Sequence, residues 1–272
     1  LDKLLFGISG LPNGDGSIKY NYASGIDFLK QINLDAMELP FVRSINITEK
    51  NKDAVLKSKN SNDFYLSAHG SYFINLNAKE ADKVDKSIER IEKGALALNT
   101  VEGRSLIFHP GYYLGDTPEK TYSTIKSNLE RLTDYRVTYR LETTGKPTQF
   151  GSLEEIVSLS KEISFCEPCI DFSHIHARNN GSLKEYDDFA RILEYIGENL
   201  GEAALKDMHI HVSGINYGPK GEKNHLPFME SDFRYDAFIK ALISYDVKGC
   251  IICESPILEK DALLLKELYK SI

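Results

Sequence analysis

The 272-residue sequence has no apolar stretch long enough to span a bilayer, which excludes a membrane-spanning helix within it. Its first residues, LDKLLFGISG, lack the basic region and long apolar core of a secretory signal, so the protein is expected in the cytoplasm. Positive charge is also short: 33 Lys and Arg stand against 40 Asp and Glu, a net charge of −7. That balance argues against a broadly basic, phosphate-binding surface, unless bound cations supply the local charge. No GxGxxG or GxxxxGK[ST] follows a strand-like run, and the glycine-rich Asn13-Gly-Asp-Gly16 reads as a turn. There is no GxSxG nucleophile motif. Gly/Ser-rich linkers and close repeats are absent too, so residues 1–272 are expected to form one domain.

Cysteine is scarce, and its arrangement is informative. The four residues form two CxxC pairs, Cys166/Cys169 and Cys250/Cys253, with 80 residues between them. Zinc ribbons place their pairs about 15–20 residues apart. Cys250 and Cys253 also lie in a strand-like run, where residues three apart point to opposite faces. Buried, inert thiols are expected.

What is present is an alternation of short apolar runs with longer amphipathic ones. Strands are predicted at Leu4–Ser9, Ala36–Leu39, Phe64–His69, Ser105–His109, Thr138–Glu142, Cys169–Asp171, Met208–His211 and Cys250–Glu254. These runs lack polar alternation, as parallel strands covered on both faces do. Helical spacing of three and four marks Val84–Leu98, Phe189–Leu200 and Ala262–Leu268. Thr48 and Ser152 read as helix starts, the latter with Glu155 placed for a capping box. Eight such units in a chain of this length predict an α/β fold, the (β/α)8 TIM barrel, which typically takes about 250 residues.

Active sites of such barrels occupy the C-terminal ends of the strands. Those ends carry Glu38, His69, His109, Glu142, Asp171, His211 and Glu254, with His174, His176 and His225 just beyond. Six of the seven histidines therefore fall at or after a strand end, none of them on a predicted helix, and His209 lies inside a strand. Imidazoles and carboxylates converging on one mouth point to a metal centre, with zinc the expected ion and manganese the alternative. Eight or more candidate ligands exceed the roughly three a single catalytic zinc requires, and suit two or three ions acting on a phosphoester.

The motifs Ala68-His-Gly-Ser-Tyr-Phe-Ile-Asn-Leu76, Phe108-His-Pro-Gly111, Leu141-Glu-Thr-Thr-Gly145, Cys169-Ile-Asp-Phe-Ser-His174, Ile210-His211, His225 and Cys253-Glu254 resemble, in order, those of the endonuclease IV family of abasic-site DNA repair nucleases, within the xylose-isomerase-like barrels. The resemblance implies a monomeric three-zinc enzyme that flips an abasic nucleotide out of double-stranded DNA. Cleavage on its 5′ side follows by in-line attack of a metal-activated hydroxide. It implies that His69, His109 and Glu142 hold one ion, that Glu142 bridges to a second held with Asp171, His211 and Glu254, and that His174 and His225 hold a third. Glu142 and Glu254 thereby become the catalytic carboxylates. Tyr72 matches a residue that wedges into the DNA stack, with Phe73 beside it as a second wedge and Arg43 in a basic loop of the same face.

One position departs from the family. Lys223 stands where the family has an aspartate two residues before its last histidine. Either Glu222 replaces that carboxylate through a shift of the loop, or the third ion is weak or absent and Lys223 supplies positive charge. Glu38 and His176 are additional polar groups, read as ligands, as partners that hold ligands in place, or as solvated side chains. The alternative is a one-metal sugar isomerase or epimerase of the same superfamily. It would use only Glu142, Asp171, His211 and Glu254, the two glutamates shuttling a proton beside a sugar carbonyl.

Overall fold

In the computed structural model, which describes residues 1–272, eight parallel strands close into a barrel. They are β1 (Leu4–Ser9), β2 (Ala36–Pro40), β3 (Tyr65–His69), β4 (Ser105–Phe108), β5 (Thr138–Glu142), β6 (Cys166–Asp171), β7 (Met208–Val212) and β8 (Gly249–Cys253). Each strand pairs with its neighbours in sequence, and β8 pairs with β1 to close the ring. The fold class is the one the strand–helix alternation predicts.

Nearly every strand residue is buried, because one face meets the helices and the other the barrel interior. The helix Ala81–Asn99 buries Val84, Ile88, Ile91, Ala95 and Leu98 against the sheet, the stripe its periodicity predicts. Ser152 and Glu155 form the expected capping box: the Ser152 hydroxyl accepts from the Glu155 N–H, and the Glu155 carboxylate accepts from the Ser152 N–H. Cys250 joins a small cluster with Leu5, Ala36, Tyr65 and Ile252, whereas Cys253 joins the main core, so the two thiols occupy opposite faces of β8. All four cysteines are buried and unpaired.

Three local readings change. The second helix begins at Lys52 rather than beside Thr48, because the Asn51 side chain accepts the Thr48 N–H and holds a turn there. A helix does carry histidines: Phe172–Arg178 includes His174 and His176, and the Asp171 side chain caps it by accepting the His174 N–H at 2.7 Å. With seven residues, six of them buried, that helix has no amphipathic signature to read. Finally, the segment holding His225 is a two-stranded antiparallel hairpin, Gly214–Gly218 with Gly221–Leu226, rather than an irregular loop. No helix is long and apolar enough to cross a membrane.

Candidate metal centre

Alternation along each strand sends every second side chain into the barrel, and the last inward positions converge on one mouth. There they line a cleft of about 380 Å³ with His69, His109, Glu142, His174, Glu222, His225 and Glu254 among its walls. Asp171 and His211 lie buried beneath it.

Glu142 is the centre of the arrangement. Its Oε2 lies 2.9 Å from His69 Nε2 and 3.4 Å from His109 Nε2. Its Oε1 lies 3.2 Å from His174 Nδ1 and 3.4 Å from His211 Nδ1. One oxygen thus faces each half of the cluster. Three groups of potential ligand atoms, each within 4.8 Å of one another, follow from this: His69/His109/Glu142, Glu142/Asp171/His211/Glu254, and His174/Glu222/His225. A fourth, Cys169/His209/His211, lies deeper in the barrel.

The third group is assembled by a β-bulge. On the hairpin, Asn224 pairs with Asn216 and Glu222 with Tyr217, leaving Lys223 without an opposite residue. The bulge turns Glu222 toward the same side as His225, and its Oε2 comes within 3.6 Å of His174 Nε2. Gly145 makes room for this contact, since a Cβ there would fall 2.7 Å from Glu222 and 3.0 Å from His174. Lys223 lies along Gly218 instead of lining the cleft.

The polar atoms here are not satisfied by one another. Of the seven buried side-chain polar atoms that lack a hydrogen-bond partner, Glu142 Oε1, His109 Nδ1 and His211 Nδ1 belong to the mouth, while His211 Nε2 and Glu38 Oε1 face each other beneath it at 3.0 Å. Leaving a buried polar group unpaired costs about 1–3 kcal/mol. A cluster of such atoms drawn only from imidazoles and carboxylates fits divalent cations of the zinc or manganese type. Electrostatics agree. Burial, reinforced by Glu142 and Glu254, pushes the Asp171 carboxyl up to about 6. Burial opposes charge on His69 and His174, yet Glu142 lifts His69 to about 9, and Asp171 with Glu142 holds His174 well above its ordinary value. Without cations, protons on His69, His174 and His211 balance the carboxylates, whereas burial holds His109 down to about 4.

The match to known families covers most of the molecule. Residues 26–270 fit the family described as the xylose isomerase-like TIM barrel. This chain belongs to that family. A relative across almost its whole length is an uncharacterized protein of Methanocaldococcus jannaschii, 46% identical over 99% of this chain and 98% of the other. A probable endonuclease 4 of Mycoplasma genitalium is 24% identical over 74% of this chain and 70% of its own. Among solved structures, a D-tagatose 3-epimerase-like protein superposes with a TM-score of 0.74 at 17% identity, covering 98% of this chain and 96% of the other. Endonuclease IV of Thermus thermophilus gives 0.73 at 15%, covering 98% of each. Both superpositions express the shared barrel, and overall shape does not separate the two chemistries.

Within this family barrel, the remaining singled-out residues divide. His176 is not part of the cluster. It is fully buried, with Nε2 3.2 Å from Asp232 Oδ1 and Nδ1 accepting the Leu183 N–H at 3.0 Å. Glu38 is fully buried rather than solvated, one layer below the mouth, with His209 beside it. A sequence search restricted to strand ends passes over His209, although its spacing of two from His211 places both inside the barrel. Tyr72, 60% exposed, lines the cleft, and Phe73, 65% exposed, follows it in the chain without lining the cleft. The Tyr72 ring lies 6.0 Å from His69, and the Arg90 guanidinium covers Phe73 at 5.7 Å. Arg43 is exposed, and Lys146 lines the cleft.

Proposed function

We propose that this protein is a metal-dependent phosphodiesterase of the endonuclease 4 kind, cutting DNA on the 5′ side of abasic sites. The observation that carries this reading is the pair of additional ligand sets, His69/His109/Glu142 and His174/Glu222/His225, flanking the four-residue set that a one-metal sugar enzyme would need. The ordered match of motifs from Ala68 to Glu254 and the endonuclease 4 relative support it.

In this reading His69, His109 and Glu142 hold one zinc ion. Glu142, Asp171, His211 and Glu254 hold a second, and His174, Glu222 and His225 a third. When bound, such ions supply Lewis acidity, lowering the pKa of water and stabilising charge on phosphate oxygens. The chain's own contributions are positional. Glu142 spreads one carboxylate across both halves of the cluster, fixing their spacing. Lys146 and Arg43 supply positive charge for the DNA backbone on a protein that is acidic overall. Tyr72 and Phe73 offer exposed aromatic faces to fill the gap left by an extruded nucleotide.

A second reading keeps one specific observation: Glu142, Asp171, His211 and Glu254 by themselves form a complete one-ion set with two glutamates, as a sugar epimerase would require. Elemental analysis combined with incision of an oligonucleotide bearing one abasic analogue separates the two. Two or three zinc ions and a 5′ cut are the expected results. One manganese ion, no cut and turnover of a ketose would overturn the nuclease in favour of the epimerase. His109→Ala sharpens the contrast, because only the nuclease needs that imidazole; it should lose at least about 100-fold in incision.

A further inference from the structure

Three imidazoles of the mouth are oriented by the same device. His69, His174 and His225 each donate Nδ1–H to a backbone carbonyl, Gly70 O at 2.9 Å, Thr143 O at 3.0 Å and Glu254 O at 3.1 Å, which reserves Nε2 for the cleft. His211 is turned the other way. Its Nδ1 faces Glu142 Oε1 at 3.4 Å and Glu254 Oε1 at 3.9 Å. Its Nε2 meets no carbonyl; it lies 3.0 Å from Glu38 Oε1, close in distance but off the hydrogen-bond axis, and neither atom has another partner.

Glu38 is itself held from below. Its Oε2 accepts from Ser67 Oγ and from His209 Nε2, each at 2.9 Å. His209 Nδ1 lies 3.4 Å from the Tyr65 hydroxyl, which lies 3.2 Å from Ser105 Oγ. Ser105 Oγ accepts from Arg140 Nε at 3.2 Å. The Arg140 guanidinium then reaches Glu167 at 2.7 Å and Asp207 at 3.3 Å, at the end of the barrel opposite the mouth. All six residues from Glu38 to Arg140 in this chain are buried. TIM-barrel interiors are normally filled by branched apolar side chains. An apolar filling would avoid the desolvation of an ion pair, which makes the polar column the feature that needs a cause.

We propose that Glu38 is the positioning residue of the metal centre: it does for His211 what backbone carbonyls do for the other imidazoles, holding the Nε2–H tautomer so that the Nδ1 lone pair points at the Glu142/Asp171/Glu254 carboxylates. The column through His209, Tyr65, Ser105 and Arg140 anchors it from the opposite end of the barrel. A carboxylate in this position also raises the basicity of the ligand nitrogen, which a carbonyl does less strongly. The inference rests on the metal reading, and it holds for the nuclease and the epimerase alike because both need His211.

The test compares wild type, Glu38→Gln and Glu38→Ala by zinc titration against a chromophoric chelator. Nitrogen-15 shifts of the zinc-loaded proteins report the His211 tautomer, and far-ultraviolet circular dichroism reports the fold. Glu38→Gln keeps the shape and should bind one ion per chain about 10–100-fold more weakly, with the remaining ions retained and a second His211 tautomer populated. Glu38→Ala should lose that ion entirely. Unchanged affinity and tautomer in folded Glu38→Gln would overturn the inference, as would equal weakening of every ion. A wild type that takes up zinc while Glu38→Gln is unaffected leaves the metal reading standing and removes only this inference. A wild type that takes up none removes both.

Discussion

Glu222 and His225 face the same cleft although they stand three positions apart on one strand, because Lys223 is bulged out of the pairing between them. Without the bulge, strand alternation would send Glu222 to the opposite side and Lys223 inward. The departure at Lys223 is therefore accommodated by backbone register. Glu222→Gln should cost the third ion, or weaken it by about 10–100-fold, while leaving the other two. Lys223→Ala should leave metal content unchanged, since the side chain rests along Gly218. Elemental analysis of the two variants decides the point; a Lys223→Ala protein that loses an ion would contradict it.

The barrel and most of the mouth were readable from sequence because both follow local rules. Runs such as Tyr65–His69 and Thr138–Glu142 are covered on both faces and end on candidate ligands, so strand ends and candidate site residues coincide. What escaped depends on partners far away. The bulge is set by cross-strand pairing to Asn216 and Tyr217. The Glu38–His209 contact joins residues 171 apart in sequence, and nothing near either announces it. His176 shares a short helix with His174, yet a two-residue step around a helix turns it to the other side, toward Asp232.

Metal uptake should release protons and weaken in acid. In the metal-free fold the Asp171 carboxyl sits at about 6 and His174 stays protonated well above its ordinary value. Ions bind the deprotonated forms, so affinity falls as pH drops through about 6. A carboxyl raised above its ordinary 3.8 favours the fold below that value and loses the contribution as pH rises through about 6. The thermal stabilisation gained from zinc over chelator should therefore grow from pH 5 to pH 7. Calorimetric titration in two buffers of different ionisation enthalpy should show net proton release at pH 7; no release would contradict protonated imidazoles at the metal-free centre.

His176 should matter for folding and little for metal. Both ring nitrogens are engaged, with Asp232 and with the Leu183 N–H, and Tyr217 and Phe233 pack edge-on against the ring at 5.1 and 5.7 Å. His176→Ala removes the acceptor from a buried N–H and leaves a cavity, for a loss of about 2–3 kcal/mol in unfolding free energy. Denaturant unfolding measures this, and zinc content per folded chain should stay at the wild-type value. A variant of full stability that lacks an ion would place His176 among the ligands instead.

The rim aromatics should separate DNA binding from metal binding. Tyr72 and Phe73 are largely exposed, and neither makes a side-chain hydrogen bond that the fold depends on. An exposed aromatic ring beside a polar cleft offers a face for a base, and base stacking on such a ring contributes about 1–3 kcal/mol. Tyr72→Ala, whose ring adjoins His69, should therefore weaken binding to abasic duplex by about 10–100-fold with metal content and melting temperature unchanged. Phe73→Ala should have the smaller effect, because the Arg90 guanidinium already covers part of that ring. Fluorescence anisotropy with an abasic and an intact duplex reads both numbers. If the two duplexes weaken equally on Tyr72→Ala, the ring contributes general contact rather than lesion recognition. If ketose turnover responds while DNA binding does not, the rim belongs to a sugar site.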